Sequence, residues 1–445
     1  MPGEQPLRTG CAKTKGVNPS PKRRALAAPD PASYDGRVYP RPRACGFLEY
    51  LTMADHIPPV AREAAAGGDT ADGTSEPYPA AGSRPLRRAG PREGGTRSSG
   101  IRPPGAPGGQ RQAYAAIDLG TNNCRLLIAR PAGDGFVVID AFSRVVRLGE
   151  GLAQSGRLSD AAMERALGAL RICADKLRRR NVHLARSVAT EACRRASNGA
   201  DFIERVRRET GIALNVISAQ EEARLAVLGC HILLEQGEGP AMIFDIGGGS
   251  TELVLIENGP TVPRIVDWQS VPWGVVSLSE TCGPEAGDAA ARAARYREMR
   301  RLVDESFAPF AERIGPARAS MVGPGSLRLL GTSGTVTTLA SLHLDLPAYD
   351  RSAVDGVIVP APAMRAIAAR LSGLSIAERR EVPCIGRERA DLVVAGCAIL
   401  ESILDIWPAT RLGVADRGIR EGILRSLMAT GLRRDGPVAQ GEGRA

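Results

Sequence analysis

Residues 115–128 read AAIDLGTNNCRLLI, and residues 242–255 read MIFDIGGGSTELVL. The two stretches align without a gap: each has apolar residues before an aspartate, one apolar residue after it, a glycine at the second position beyond it and an apolar run from the eighth. The aligned aspartates are Asp118 and Asp245. Each copy predicts a strand, a tight Asp-x-Gly turn and a second strand, and in both copies a further extended stretch and a helix follow.

Two such copies facing each other predict a cleft for a chain of phosphates. Main-chain N–H groups of tight glycine turns bind phosphoryl oxygens, because only glycine lets the main chain approach so closely. The paired aspartates would repel each other and the substrate, so we expect a Mg²⁺ between them. One Asp-x-Gly turn is common in ordinary hairpins, and the prediction therefore rests on the repetition. The strand–turn–strand context also differs from a dinucleotide fingerprint, whose glycines open a helix.

The composition excludes several classes of protein. The chain has 445 residues, of which 43% are hydrophobic and 24% charged, as is typical of a globular protein with more than one domain. It has no run of 18 apolar residues, so we expect no membrane span. Nine cysteines without a Cys-x-x-Cys pair and four histidines argue against a zinc site and a disulfide framework. These features predict a cytoplasmic protein that does not bind membranes.

The distribution of charge, glycine and proline predicts four segments. Residues 1–111 hold 17 Lys and Arg against 10 Asp and Glu and are rich in glycine and proline, which predicts a disordered basic extension. Such an extension can attract polyanions or can have no function, and we expect no specific nucleic-acid partner. Alternating strands and helices then predict an α/β protein, with a first domain over 112–238, a second over 239–432 and a flexible tail over 433–445.

The motifs resemble a known family. The pairing of IDLGTN with FDIGGGSTEL resembles the phosphate-binding loops of the actin, heat-shock ATPase and sugar-kinase superfamily. The motifs ISAQEEARL, VATEACRRASNG, SVPWGVVSL and LLGTSGTVTTLASL are similar to those of the exopolyphosphatase and guanosine pentaphosphate phosphohydrolase (Ppx/GppA) family in its short, two-domain form. The resemblance covers about residues 113–430. It implies an α/β fold of duplicated ribonuclease-H-like domains around a central cleft, and a phosphoanhydride hydrolase.

Two adjacent glutamates must be told apart. Ser218-x-x-Glu221 has the pattern of a capping box, which assigns Glu221 a structural role at the start of a helix. Glu222 is free to point elsewhere and matches the catalytic glutamate of the family, so the resemblance implies that it activates the attacking water. Asp118 and Asp245 are expected to hold the Mg²⁺, directly or through its waters. Glu252 matches an acidic position of the family near the metal.

The expected substrate-binding residues come from both turns, from one arginine and from the start of a later helix. The arginine, in ATEACRR, matches a family arginine that faces the substrate, and arginine binds phosphoryl oxygens with two donors. The set is Gly120, Thr121, Asn122, Arg194, Gly247, Gly248, Gly249, Ser250, Thr251, Gly334 and Thr335. Arg147 is a further candidate for phosphate contact, and the charged residues from Asp416 to Glu421 either cap the cleft or pair with one another.

The catalytic residues do not distinguish between the substrates of the family. We expect release of terminal phosphate from inorganic polyphosphate, since aromatic residues make up 4% of the chain and leave few partners on which a nucleobase could stack. The alternatives are 5′-hydrolysis of guanosine pentaphosphate and a non-catalytic sensor of polyphosphate or alarmone. The resemblance also implies a homodimer. Asn123 and Asp355 depart from the family pattern and bear on substrate preference.

Overall fold

The computed structural model describes residues 112–434, except 134, 260–261, 286 and 322–326. The predicted extension over residues 1–111 and residues 435–445 of the predicted tail lie outside the described residues. The strands are β1 (Ala113–Leu119), β2 (Asn123–Ala132), β3 (Gly135–Val145), β4 (Val182–Ala189), β5 (Leu214–Val216), β6 (Ala241–Ile246), β7 (Thr251–Glu257), β8 (Arg264–Val271), β9 (Arg328–Thr332), β10 (Ile358–Pro360) and β11 (Arg411–Ala415).

The helices alternate with these strands, as the sequence predicts. They are α1 (Leu152–Ser155), α2 (Asp160–Arg179), α3 (Glu191–Arg195), α4 (Gly199–Thr210), α5 (Ala219–Cys230), α6 (Val275–Thr281), α7 (Ala289–Ala319), α8 (Gly334–His343), α9 (Arg351–Val354), α10 (Ala361–Gly373), α11 (Ile376–Arg380), α12 (Val393–Ile406) and α13 (Ile419–Arg434). None of the helices in the described part of the chain combines the length and the apolar character that a membrane crossing requires.

The strands form two sheets of the same design. The first has the order β3-β2-β1-β4-β5, and the second has the order β8-β7-β6-β9-β11 with β10 added at its edge. In both, the first three strands run antiparallel and the later two join in parallel, with β10 antiparallel to β11. The irregularities of the two sheets also correspond. The strand register shifts after Ile128 in β2 and after Leu255 in β7, and these two residues occupy the same position in the aligned repeats.

This correspondence confirms the predicted fold class, a mixed α/β protein with duplicated ribonuclease-H-like domains. The central strands β1 and β6 are almost wholly buried. Strands covered on both faces consist of continuous apolar residues rather than an alternating pattern, and AAI and MIF before the two aspartates follow that rule. The aspartates therefore lie where each central strand ends and its turn begins.

Two helices connect the two sheets. Helix α5 packs Leu225 and Ala226 into a cluster with residues of the first sheet, and Ala223 and Val227 into another with residues of the second. Helix α13 follows the second sheet in sequence but joins the first cluster through residues that include Ile423. The predicted second domain, 239–432, therefore needs correction at its end, because the apolar face of α13 is complementary to the first sheet.

Helices α5 and α13 cross at glycines. A Cβ atom on Gly229 would lie 1.9 Å from the carbonyl oxygen of Gly418, and a Cβ atom on Gly422 would lie 2.1 Å from that of Leu225. Both obstacles are main-chain atoms, which a rotamer change cannot move away. The crossing fixes α5, whose first turn carries Glu222, relative to the C-terminal helix.

We predict that Gly229→Ala and Gly422→Ala each destabilise the protein by more than about 1 kcal/mol, because the helices must separate to accommodate the methyl group. The measurement is chemical unfolding by circular dichroism.

The matched control is Gly168→Ala in α2, where nothing lies within 4 Å of the added Cβ atom. There the higher helix propensity of alanine is expected to stabilise the protein by about 0.5–1 kcal/mol. Equal effects at Gly168 and Gly229 would contradict the close crossing.

Candidate active site

The turns of the two repeats face each other across a cleft. The cleft is lined by both Asp-x-Gly turns, together with side chains from α5 and the start of α8. The turns touch: a Cβ atom on Gly248 would lie 3.0 Å from the main-chain nitrogen of Asn122, and one on Gly249 would lie 2.6 Å from the hydroxyl of Thr121. Any larger residue at either glycine would push the two domains apart at this point.

Both turns close in the same way. Gly120 N donates to Asn123 O at 2.9 Å, and Gly247 N donates to Ser250 O at 2.9 Å. Within the described residues, the next main-chain N–H groups find no acceptor, and they are free to bind an anion; they belong to Thr121, Asn122, Gly248 and Gly249. Successive unpaired N–H groups in a tight turn form a concave anion site, the property predicted for these loops.

Five carboxylates line the cleft: those of Asp118, Glu191, Glu222, Asp245 and Glu252. Burial, reinforced by Glu252, raises the pKa of Asp245 to about 8. Burial also raises the pKa of Glu252 to about 7, although Glu252 Oε1 accepts hydrogen bonds from Ser250 Oγ at 2.8 Å and Ser270 Oγ at 2.9 Å. Burial thus disfavours the charged forms of these carboxylates more than the neighbouring groups favour them.

These carboxylates suit a hard divalent cation. Asp118 Oδ1 is buried and has no hydrogen-bond partner in the described part of the chain, which is costly unless something else binds it. No group of three His, Cys, Asp or Glu side chains among the described residues is arranged to enclose a metal by itself. Mg²⁺ commonly takes one or two carboxylates and completes its shell with waters and substrate phosphates. The unpartnered oxygen of Asp118 fits one ligand position of such an ion, whereas Asp118, Asp245 and Glu252 stay a prediction as a set.

Glu222 lies in the first turn of α5 and is 7% exposed. Its Oε2 accepts a hydrogen bond from Arg194 Nη1 at 3.1 Å, and its Oε1 has no partner among the described residues. Burial, followed by the repulsion of Glu252, raises the pKa of Glu222 well above its ordinary value. The elevated pKa makes this carboxylate a stronger base than an exposed one.

The predicted capping box at α5 is only half formed. Ser218 Oγ accepts a hydrogen bond from Glu221 N at 3.2 Å, as expected. The carboxylate of Glu221 does not return to the cap but pairs with Arg186 at 2.9 Å and Arg224 at 2.7 Å. Glu221 therefore has a structural role, although its partners differ from those that the motif predicts.

Two predicted substrate-binding residues lie elsewhere. Thr251 is fully buried, and its hydroxyl donates to Trp273 O at 2.7 Å, because β7 turns this side chain away from the cleft. Arg194 donates to Glu191, Ile217 O and Glu222, so it contacts the candidate base rather than lining the cleft. The remaining predicted phosphate-binding residues all line the cleft; they are Gly120, Thr121, Asn122, Gly247, Gly248, Gly249, Ser250, Gly334 and Thr335.

Sequence reasoning missed three charged residues of the cleft: Arg125, Glu191 and Arg389. Arg125 and Arg389 form no ion pair in the described part of the chain, although the charge of Arg125 opposes the rise in the pKa of Asp118 and Asp245. Burial, together with the charge of Arg125, lowers the pKa of Arg389. The repeat could have revealed Arg125, since it occupies the position seven residues after Asp118 that Glu252 occupies after Asp245. Arg389 precedes α12 in the family-like motif RERADLVVAGCAIL, but the motif by itself does not distinguish it from Arg387.

Further charged residues that the sequence singled out pair with other side chains. Arg147 pairs with Asp391 at 3.2 Å and donates to Glu388 O at 3.0 Å, which joins the two domains beside the cleft. In the cluster after β11, Arg351 donates to Glu421 at 3.1 Å and Arg417 donates to Asp355 at 2.7 Å. The structure therefore favours pairing over capping for the cluster, and Asp355 is one of its partners.

Known proteins share this architecture. The sequence profile of the Ppx/GppA phosphatase family matches residues 127–430. The chain belongs to the Ppx/GppA family. It is 31% identical to exopolyphosphatase 2 of Mycobacterium tuberculosis over 327 residues, which covers 70% of this chain and 98% of that protein. The predicted class of enzyme, a phosphoanhydride hydrolase of this family, is confirmed.

Solved structures agree with the assignment. An exopolyphosphatase from Cytophaga hutchinsonii superposes with a TM-score of 0.63 at 25% identity, covering 72% of this chain and 98% of that one. The Ppx/GppA family member from Aquifex aeolicus superposes with a TM-score of 0.57 at 27% identity, covering 73% and 99%. The match therefore extends over nearly the full length of both of these Ppx/GppA structures.

We predict that Asp245→Asn raises the melting temperature of the metal-free protein. The folded state holds the Asp245 proton up to about pH 8, whereas the unfolded chain releases it near pH 4. The folded state therefore binds more protons over that range, and stability falls as the pH rises through it. The gain from asparagine should be larger at pH 9 than at pH 5, as measured by thermal unfolding in a chelator.

The control is Asp140→Asn. Lys176 and Arg180 outweigh the effect of burial and lower the pKa of Asp140, so its charge stabilises the folded state above about pH 4. This variant should lose stability at both pH values. A fall in the melting temperature of Asp245→Asn at pH 9 would contradict the buried-carboxylate account.

Proposed function

We propose that this chain hydrolyses the terminal phosphoanhydride bond of inorganic polyphosphate in a Mg²⁺-dependent reaction that releases orthophosphate. The observation that carries the proposal is the setting of Glu222, a buried carboxylate with one free oxygen in a cleft walled by two anion-binding turns. The name of the mycobacterial relative supports this substrate class. The described cysteines are free thiols, in keeping with a proposed cytoplasmic location.

The proposed binding of a polyanion rests on main-chain N–H groups without a hydrogen-bond acceptor and on arginines without an ion pair, all among the described residues. The unpaired N–H groups of Gly248 and Gly249 and of the facing turn would bind the oxygens of the terminal phosphoryl group. Arg125 and Arg389, one from each domain, would bind phosphates further along the chain, because neither guanidinium forms an ion pair with a carboxylate in the described part of the chain. The cleft would in this way grip several phosphates at once.

The chemistry requires a base and neutralisation of charge. Glu222 Oε1 would take a proton from a water as its oxygen attacks the terminal phosphorus. The bond between that phosphorus and the bridging oxygen breaks, the bridging oxygen leaves with the shortened chain, and Glu222 then releases its proton. Asp118, Asp245 and Glu252 would hold Mg²⁺, directly or through its waters, and the ion would supply positive charge to offset the repulsion between the phosphate chain and the five carboxylates of the cleft.

A second candidate function, 5′-hydrolysis of guanosine pentaphosphate, is favoured by one observation. Tyr349 is 47% exposed and acts to raise the pKa of Arg389. An exposed ring beside a cationic phosphate site can stack a nucleobase. The free oxygen of Glu222 argues against the third alternative, a non-catalytic sensor.

We predict that Glu222→Gln lowers the turnover number about 10²–10⁴-fold, since an amide cannot accept the proton from water. The assay is colorimetric phosphate release from long-chain polyphosphate with Mg²⁺, and circular dichroism verifies folding.

Glu221→Gln is the matched control, because the neighbouring carboxylate pairs with arginines outside the cleft. Its turnover should stay near that of the wild type. Normal turnover by Glu222→Gln would remove the assignment of the base.

The substrate is tested by phosphate release from long polyphosphate, tripolyphosphate and guanosine pentaphosphate in parallel, with and without a chelator. We expect the highest kcat/KM on polyphosphate and no turnover in chelator. Tyr349→Ala should weaken only the reaction with guanosine pentaphosphate. A preference for the nucleotide that this variant abolishes would establish the second candidate instead.

A further inference from the structure

Arg194 is held by two carboxylates at once. Its Nε and Nη2 donate to Glu191 Oε2 at 3.1 and 2.5 Å, and its Nη1 donates to Ile217 O at 2.7 Å and Glu222 Oε2 at 3.1 Å. A guanidinium has five N–H donors. These contacts leave at most one of them for a ligand, so Arg194 cannot bind a phosphoryl group bidentately from this position.

Glu191 is placed to control that arginine. It begins α3, is 8% exposed and lines the cleft. Its side chain also packs against the second domain, since a Cβ atom on Gly249 would lie 3.0 Å from Glu191 Cγ. The carboxylate is thus fixed both by the arginine and by the facing phosphate turn.

Two kinds of anion would compete for the guanidinium of Arg194: the carboxylates that hold it and the phosphate chain. Burial works to lower its pKa, but the charges of Glu222 and Glu191 outweigh burial and raise it, so the guanidinium remains a cation next to the cleft. An incoming phosphate chain is the strongest anion that this cation meets. Without a second carboxylate on its far side, Arg194 would be drawn from Glu222 onto the phosphoryl oxygens.

We propose that Glu191 is a positioning residue that retains Arg194 on Glu222 when the phosphate chain binds, so that Glu222 keeps its orientation for the attacking water. The proposal rests on the proposed function. The proposal predicts that loss of the Glu191 charge weakens catalysis but strengthens substrate binding, because the released arginine becomes a ligand of the substrate.

The test is Glu191→Gln, which keeps the size of the side chain and removes its charge. We expect kcat to fall about tenfold and KM for polyphosphate to fall about threefold or more. A purely structural residue would lower the amount of folded enzyme without lowering KM. Glu191→Asp retains the charge and should lie between the wild type and the glutamine variant in both constants.

A binding measurement makes the result independent of turnover. In the Glu222→Gln background, adding Glu191→Gln should tighten the binding of tripolyphosphate with Mg²⁺, measured by calorimetry, about threefold or more. Glu221→Gln in the same background is the control and should leave the affinity unchanged. If Glu191→Gln folds poorly, Glu191→Asp replaces it in the Glu222→Gln background. The affinity for tripolyphosphate should then change in the same direction.

Failure of the inference about Glu191 can be distinguished from failure of the proposed function. If the wild type releases no phosphate from any of the three substrates, the proposed function fails, whereas the calorimetric comparison still tests the role of Glu191. Unchanged constants for Glu191→Gln would overturn the inference. A fall in kcat with a raised KM, or weaker binding of tripolyphosphate, would overturn it as well, because Glu191 would then assist binding directly.

Discussion

The contact between two glycine turns is the constraint on which the site depends. Gly248 and Gly249 lie so close to Thr121 and Asn122 that no side chain fits between them. That proximity brings unpaired N–H groups from both domains into one cleft and forces the carboxylates of both repeats together. The close contact between the turns thus creates the anion site and also the unfavourable clustering of buried carboxylates.

The cost is visible in the carboxylates. Asp245 and Glu252 titrate near neutral pH because burial disfavours their charged forms, and Asp118 keeps an oxygen without a partner in the described part of the chain. An enzyme that must bind a polyanion gains from this arrangement only with a cation present. Arg125 and Arg389, which form no ion pair in the described part of the chain, lie in the same cleft and would provide the complementary attraction for phosphates.

Much of the architecture was predictable because the sequence contains the same strand–turn–strand pattern twice. The gap-free repeat predicts both hairpins, and the paired register shifts after Ile128 and Leu255 are a consequence of the same duplication. The position seven residues after the aspartate shows the limit of that reasoning. The aligned positions of Arg125 and Glu252 could have indicated that both face the cleft, but the residues carry opposite charges and Arg125 was missed.

The sequence alone determined the order of elements and the two turns, because these depend on local periodicity and on glycines at fixed offsets from an aspartate. The candidate base, Glu222, came from the resemblance to the Ppx/GppA family and not from local periodicity. The tertiary structure decided the rest. Arg194 turned to Glu191 and Glu222, and α13 packed on the first sheet, because both choices depend on neighbours distant in sequence. Local patterns report which residues are charged or apolar, whereas the identity of each partner follows from how the sheets and helices pack.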